Sequence, residues 1–171
     1  MIPTLRPALR RRAPACVAAL LLLTPLALPA QQKATMEQYL NPASPLEVTA
    51  AHKADRIAWM AYDRGMRNVY TAAAPDFKPV RLTKFLDDDG TDLTNVELSA
   101  DGSIAVFVRG SAPNRNGWVA NPSHDPSGAE RAIWAVRTNG SGPAWRVAEG
   151  SNPELSPDGK YVLFAHDRSE E

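Results

Sequence analysis

The stretch Asn152-Pro153-Glu154-Leu155-Ser156-Pro157-Asp158-Gly159-Lys160-Tyr161-Val162-Leu163-Phe164 reads as a strand, a tight turn and a second strand. Pro157 presets φ for the second turn position. Asp158-Gly159 closes the turn, because glycine accepts positive φ without steric cost. Tyr161-Val162-Leu163-Phe164 is a compact β-branched and aromatic strand. The unit recurs. Val96-Glu97-Leu98-Ser99-Ala100-Asp101-Gly102-Ser103-Ile104-Ala105-Val106-Phe107-Val108 repeats it with Ala100 in place of Pro157, and Ser99 and Ser156 stand 57 residues apart. A weaker copy is Leu46-Glu47-Val48-Thr49, followed by Lys53-Ala54-Asp55-Arg56-Ile57-Ala58-Trp59-Met60. Matching Glu47 to Glu97, 50 residues on, gives this copy a longer turn that lacks glycine.

Self-similarity at about 40 to 50 residues, with several strands per period, is the signature of β-propeller blades. The expected fold class is all-β: an incomplete β-propeller of about two blades and the start of a third, behind an N-terminal signal peptide. Residues 46–83 form blade 1, with strands at 46–49, 56–62, 68–72 and 80–83. Residues 94–148 form blade 2, with strands at 94–98, 104–109, 132–136 and 144–147, and 153–167 begin blade 3. The strand 56–62 is largely apolar on both faces, as expected of a strand sandwiched between neighbouring blades. At this period the chain ends in mid-blade. An open arc leaves apolar faces and strand edges in water, so the expectation is the front of a longer protein or a truncated gene product.

The 171 residues carry 19 basic and 19 acidic side chains, and the zero sum hides a split. Four of the arginines, Arg6, Arg10, Arg11 and Arg12, cluster at the N-terminus; the remainder has a mild acidic excess. That balance gives no nucleic-acid surface. Residues 1–30 read as a secretory signal: a basic start, an apolar segment at 13–28 with Leu20-Leu21-Leu22-Leu23, and a processing site at Leu28-Pro29-Ala30 before Gln31. The rival, a transmembrane anchor, is disfavoured because the segment is short and Pro25 and Pro29 interrupt it. No membrane contact is expected after cleavage. Residues 31–45 form a polar, proline-punctuated linker, with one helical turn at 36–40. Cys16, the only cysteine, leaves with the signal, which excludes a disulfide scaffold, a thiol enzyme and a cysteine-zinc site. A cysteine-free exported chain suits a bacterial periplasm or the medium. The Asn139-Gly140-Ser141 triplet matches a glycosylation sequon, a pattern that also arises often by chance.

No catalytic, cofactor-binding or metal-ligating residue is assigned from the sequence. His52, His124 and His166 lack the short spacing of a metal clip, and each reads as a surface or turn residue. There is no Gly-x-Ser-x-Gly nucleophile elbow, no Walker pattern and no dinucleotide-binding glycine pattern. Gly140-Ser141-Gly142 lies in a hairpin between predicted strands. Asp87-Asp88-Asp89-Gly90-Thr91-Asp92 invites a calcium-loop reading. Glycine falls at the fourth position rather than the sixth, however, and Leu98 occupies the place of the twelfth-position glutamate, so an acidic, solvated turn is expected. Residues 110–130, rich in Asn, Pro, Ser and Gly and carrying Trp118 and His124, interrupt blade 2. Long loops in compact β folds are functional or mobile, which makes this insertion the leading place for a partner or substrate contact.

Glu154-Leu155-Ser156-Pro157-Asp158-Gly159-Lys160 resembles the repeat of TolB-like, WD-repeat-like propellers. A longer ordered set comprises Arg67-Asn68-Val69-Tyr70, Ala74-Pro75-Asp76-Phe77-Lys78-Pro79-Val80-Arg81-Leu82-Thr83, Asp88-Asp89-Gly90-Thr91-Asp92-Leu93-Thr94, the second repeat, the insertion and Ile133-Trp134-Ala135-Val136. It resembles the N-terminal propeller of secreted bacterial prolyl oligopeptidase-family peptidases, of the dipeptidyl-peptidase and acylaminoacyl-peptidase type, over residues 44–167. The resemblance implies a propeller that covers an α/β-hydrolase domain with a Ser-Asp-His triad and admits short peptides. No position here matches the family's catalytic motifs, so no catalytic residue is carried over and no cofactor is implied. Two other readings stand beside it. One is a periplasmic TolB-like propeller acting as a protein-interaction module; the other is the propeller of an amidohydrolase fusion.

Overall fold

The computed structural model describes residues 35–36 and 44–166. The signal peptide, the helical turn at 36–40 apart from Met36, and most of the 31–45 linker lie outside the described residues, as does Asp167. The described chain is all-β, with three antiparallel sheets, none of them closed. The first sheet contains β1 (Ser44–Ala50), β2 (Arg56–Asp63), β3 (Met66–Ala73) and β4 (Val80–Arg81), paired in chain order. The second contains β5 (Leu93–Leu98), β6 (Ile104–Arg109), β7 (Ala132–Arg137) and β8 (Trp145–Glu149), again in chain order. In the third, β9 (Ser151–Leu155) pairs with β10 (Val162–Ala165). Among the described residues no helix is long and apolar enough to cross a membrane.

The core lies between the first two sheets. Ala58, Met60, Val69 and Leu82 of the first pack on Leu93, Val96, Leu98, Ala105, Phe107 and Val136 of the second. Alternation then places Val106, Val108 and Ile133 on the opposite face of the second sheet, and these too are buried, with β9 packed against β6 and β7. The second sheet is thus covered on both sides, which explains the continuous apolar run of β6. The outer face of β2 is only half covered. There Trp59 stacks on its cross-strand partner Tyr70, with centroids 5.8 Å apart.

Three sequence expectations need correction. The first turn is not longer than the others. Ala51 N–H donates to Arg56 O, Ser99 N–H to Ile104 O and Ser156 N–H to Tyr161 O, each at 2.9 Å, so all three turns span the same number of residues. Each leading strand also carries a bulge, at Glu47 (φ 50°), Asn95 (φ 54°) and Asn152 (φ 52°). Glu47 therefore corresponds to Asn95 and Asn152, not to Glu97 and Glu154, and the apparent glutamate match was two residues out of register. The bulge supplies the reason, since two residues on the bulged strand oppose one on its partner. Pro153 occupies this site in β9, where its missing N–H does not break the ladder, and the strand begins at Ser151.

The fourth strand, expected over 80–83, has two residues. The Thr83 hydroxyl accepts from Val69 N–H at 3.0 Å and donates to Asn68 Oδ1 at 2.8 Å, replacing a ladder bond by a side-chain bond. The buried Asn68 also accepts from Phe85 N–H and donates to Phe85 O, both at 2.9 Å. This one amide binds the chain leaving the first sheet to the middle of that sheet.

Candidate functional site

The three turns that join the first and second strands of each sheet lie side by side on one rim. In the second turn the Ser99 hydroxyl donates to Asp101 Oδ1 at 2.6 Å and accepts from Ile104 N–H at 3.0 Å. In the third the Ser156 hydroxyl donates to Asp158 Oδ1 at 2.6 Å and accepts from Tyr161 N–H at 3.0 Å. Asp101 receives two more bonds, from the Ser103 amide and hydroxyl. Hydrogen bonds from Ser99 first and Ser103 next hold the Asp101 carboxyl down at about 2. The Ser156 hydroxyl and the Lys160 amide lower Asp158 in the same way. Each serine hydroxyl is committed to its own turn and is unsuited to serve as a nucleophile. The first turn has Ala51 and Lys53 at these places. It docks instead, its Lys53 N–H donating to Ala100 O of the second turn at 2.7 Å.

Glycine in the turn has a second role besides its positive φ. A Cβ on Gly102 would meet Arg56 and Ala51 of the first turn at 3.1–3.3 Å, and one on Gly159 would meet Ser99 of the second at 3.4 Å. Gly102 and Gly159 are equivalent, as are Ala51 and Ser99, so the second and third turns each rest a glycine on the same site of the turn before.

Below this rim the leading strands β1, β5 and β9 bound a cleft of about 480 Å³, lined by Thr49, His52, Lys53, Glu97, Leu155 and Ser156 among others. Two carboxylates reach across the sheets. Glu47 Oε2 accepts from Val96 N–H at 3.3 Å, and Glu97 accepts from the Leu155 amide. Burial pushes the Glu97 carboxyl up; the Leu155 hydrogen bond opposes this and the neighbouring Glu154 charge adds to it. The recess thus offers an imidazole, an ammonium and a reluctantly ionised carboxylate. Such a set suits polar binding; of the two hydroxyls that line it, Thr49 and Ser156, the second is already engaged by Asp158.

The acidic linker is not a freely solvated turn. Asp89 pairs with Arg109 and accepts from Thr91 N–H, while Asp88 and Asp92 lie 3.6 and 3.9 Å from the Arg67 guanidinium. The Ser111 hydroxyl donates to Asp92 at 2.8 Å. The aspartates are drawn in because Arg67, near the start of β3, and Arg109, at the end of β6, meet the linker, a pairing between distant segments that local spacing does not reveal. These bonds fasten the root of the insertion. Its far end is exposed but internally ordered: Asn114 Oδ1 accepts from the amides of Asn116 and Trp118, and Trp118 is 75% exposed.

The three histidines fall on different elements. His52 is in the first turn; His124, in the insertion, has Nδ1 3.0 Å from Pro122 O; and His166, after β10, has Nδ1 3.2 Å from Glu149 O. Among the described residues no group of three or more His, Cys, Asp or Glu could hold a metal ion. No protein-family model matches the chain, and no curated protein is significantly similar to it.

Proposed function

We propose that the three sheets are successive blades of an incomplete β-propeller, and that the chain is the non-catalytic, substrate-gating part of an exported serine peptidase. The observation that carries the propeller reading is the threefold recurrence of one turn, with equal length and an equivalent bulge before it, the second and third turns each seating a glycine on the same place of the turn before. Repeats that pack only on their neighbours are the hallmark of such arrays. The peptidase reading rests on the ordered sequence set. Its pieces fall on these elements: Arg67-Asn68-Val69-Tyr70 in β3, the acidic linker against Arg67 and Arg109, and Ile133-Trp134-Ala135-Val136 in β7. On this reading short peptides pass the propeller to reach an α/β-hydrolase site supplied by another domain, in the periplasm or outside the cell.

The exposed Trp118 on its ordered loop favours a second reading, a TolB-like interaction module, because buried aromatic anchors dominate protein interfaces. One experiment separates the two. Antibodies against residues 44–166 are applied to the exported fraction of the encoding organism after labelling with a fluorophosphonate, which reacts with activated serines. The peptidase reading expects the recognised polypeptide to carry the label and to lose it on competition with dipeptide substrates. A recognised polypeptide that stays unlabelled overturns it.

A further inference from the structure

A second recess lies between the first two sheets and shares no lining residue with the turn-rim cleft. It is a groove of about 400 Å³ between the segment that follows β4 and the loop joining β7 to β8. This volume falls in the range of small-molecule sites. Phe85 and Trp134 form an aromatic wall, meeting edge to face with centroids 6.3 Å apart. The wall is braced from behind: Phe107 abuts Phe85 at 6.4 Å, and the Arg109 guanidinium lies 4.5 Å over the Phe85 ring. Pro143 lines the groove, and open space lies beyond the α-carbons of Gly140 and Gly142 on the same loop.

Charge gives the groove a sign. Arg81 and Lys84 line it, and no carboxylate does. Elsewhere Arg67, Arg109 and Arg146 each meet an aspartate or glutamate. Arg81 and Lys84 pair with no acidic residue among the described ones, and both are exposed. An aromatic wall with two uncompensated cations complements a ring that carries a negative charge. We propose that this groove binds a small aromatic carboxylate, its ring against Phe85 and Trp134 and its carboxylate beside Arg81 and Lys84. The site is separate from the turn-rim cleft and does not depend on the peptidase reading.

The test titrates 2-naphthoate into the full chain by calorimetry and follows the Trp134 indole N–H by NMR, assigned with Trp134→Phe. The expected Kd is about 0.1–1 mM, the range open to a ligand of this size. The neutral isostere 2-naphthylmethanol, and an Arg81→Gln/Lys84→Gln double variant whose circular dichroism matches the parent, should each weaken binding about tenfold, which is one missing charge-assisted contact. The Trp134 signal should shift on saturation. The proposal is overturned if naphthoate fails to saturate below about 10 mM, if the alcohol binds equally well, or if the double variant binds unchanged. It is also overturned if a peptide of alternating Glu and Val moves the Trp134 signal at lower concentration than naphthoate, since the groove would then belong to an extended acidic chain.

Discussion

Phe107 in β6 and Phe164 in β10 stand 57 residues apart at matching places of the repeat, yet the first is fully buried and the second only half buried. Beside them, Val106 is 0% exposed and Leu163 is 72% exposed. Their cross-strand partners match as well: Val106 faces Glu97, and Leu163 faces Glu154. The local instructions are therefore the same, and so is the turn that precedes each strand. What differs is the company. β6 runs between β5 and β7, with the first sheet on one face and β9 on the other, whereas β10 pairs with β9 alone. The repeat encodes a strand and its turn; neighbouring sheets provide the burial that makes the strand a core element.

The largest expected effect tests that division directly. Phe107→Ala should cost about 3–5 kcal/mol, the usual range for a fully buried phenylalanine. Phe164→Ala should cost about 1 kcal/mol or less, in proportion to its partial burial. Urea denaturation of the two variants gives both numbers. Equal costs would mean that in solution the third sheet is packed as fully as the second.

The turns allow a finer comparison. Ser99 is 1% exposed, and its hydroxyl satisfies both Asp101 and the Ile104 amide. Removing it leaves a half-buried amide without its partner, so Ser99→Ala should cost about 1–3 kcal/mol. Ser156→Ala removes the same two bonds where water can replace them, and should cost less than about 1 kcal/mol. A cost at Ser156 as large as that at Ser99 would contradict the view that the neighbouring turn, rather than the bonds themselves, sets the difference.

Much of this was legible in the chain. The strand order, the turn chemistry of Asp101-Gly102 and Asp158-Gly159, and the position of the insertion all follow from short-range patterns, and the all-β architecture shows them in place. The misses share a cause. The register of the first repeat depended on bulges, which leave no composition signal of their own at Glu47. The role of Asn68 depended on the chain folding back fifteen to seventeen residues later. Partners for Asp88, Asp89 and Asp92 came from β3 and β6, across sheets. The turn-rim cleft is assembled from three separate strands, so no single stretch could announce it.

Acid separates the turns in a further way. A carboxyl whose folded pKa is depressed contributes stability above its unfolded pKa and loses it as pH falls through the folded one. For Asp101 that window runs from about 4 down to the folded value of about 2. Asp158 shifts in the same direction. The first turn, with Lys53 at the equivalent place, has no such carboxyl. Amide exchange or NMR between pH 4 and 2 should show the second and third turns loosening, with Asp101→Asn abolishing the pH response of the second. Simultaneous loosening of all three turns would mean that stacking on the rim, and not the aspartate, is what acid disrupts.

The smallest effect concerns the link between the well-covered second sheet and the open third. Glu97 joins them by accepting from the Leu155 amide, and burial with the Glu154 charge raises its pKa. For a carboxyl held above its unfolded value the sign reverses: the folded state keeps the proton longer, so stability is highest below the ordinary glutamate pKa and declines as pH rises through the folded one. At neutral pH the ionised Glu97 is therefore a mild burden on the junction it forms. Glu97→Gln keeps an acceptor for Leu155 and removes the charge. It should raise Tm by about 1–2 °C at pH 7, a modest figure because water screens part of the charge, and flatten the decline of stability above pH 4. A fall in Tm would mean that the ionised carboxylate, through a stronger bond to the Leu155 amide, holds the third sheet in place at neutral pH.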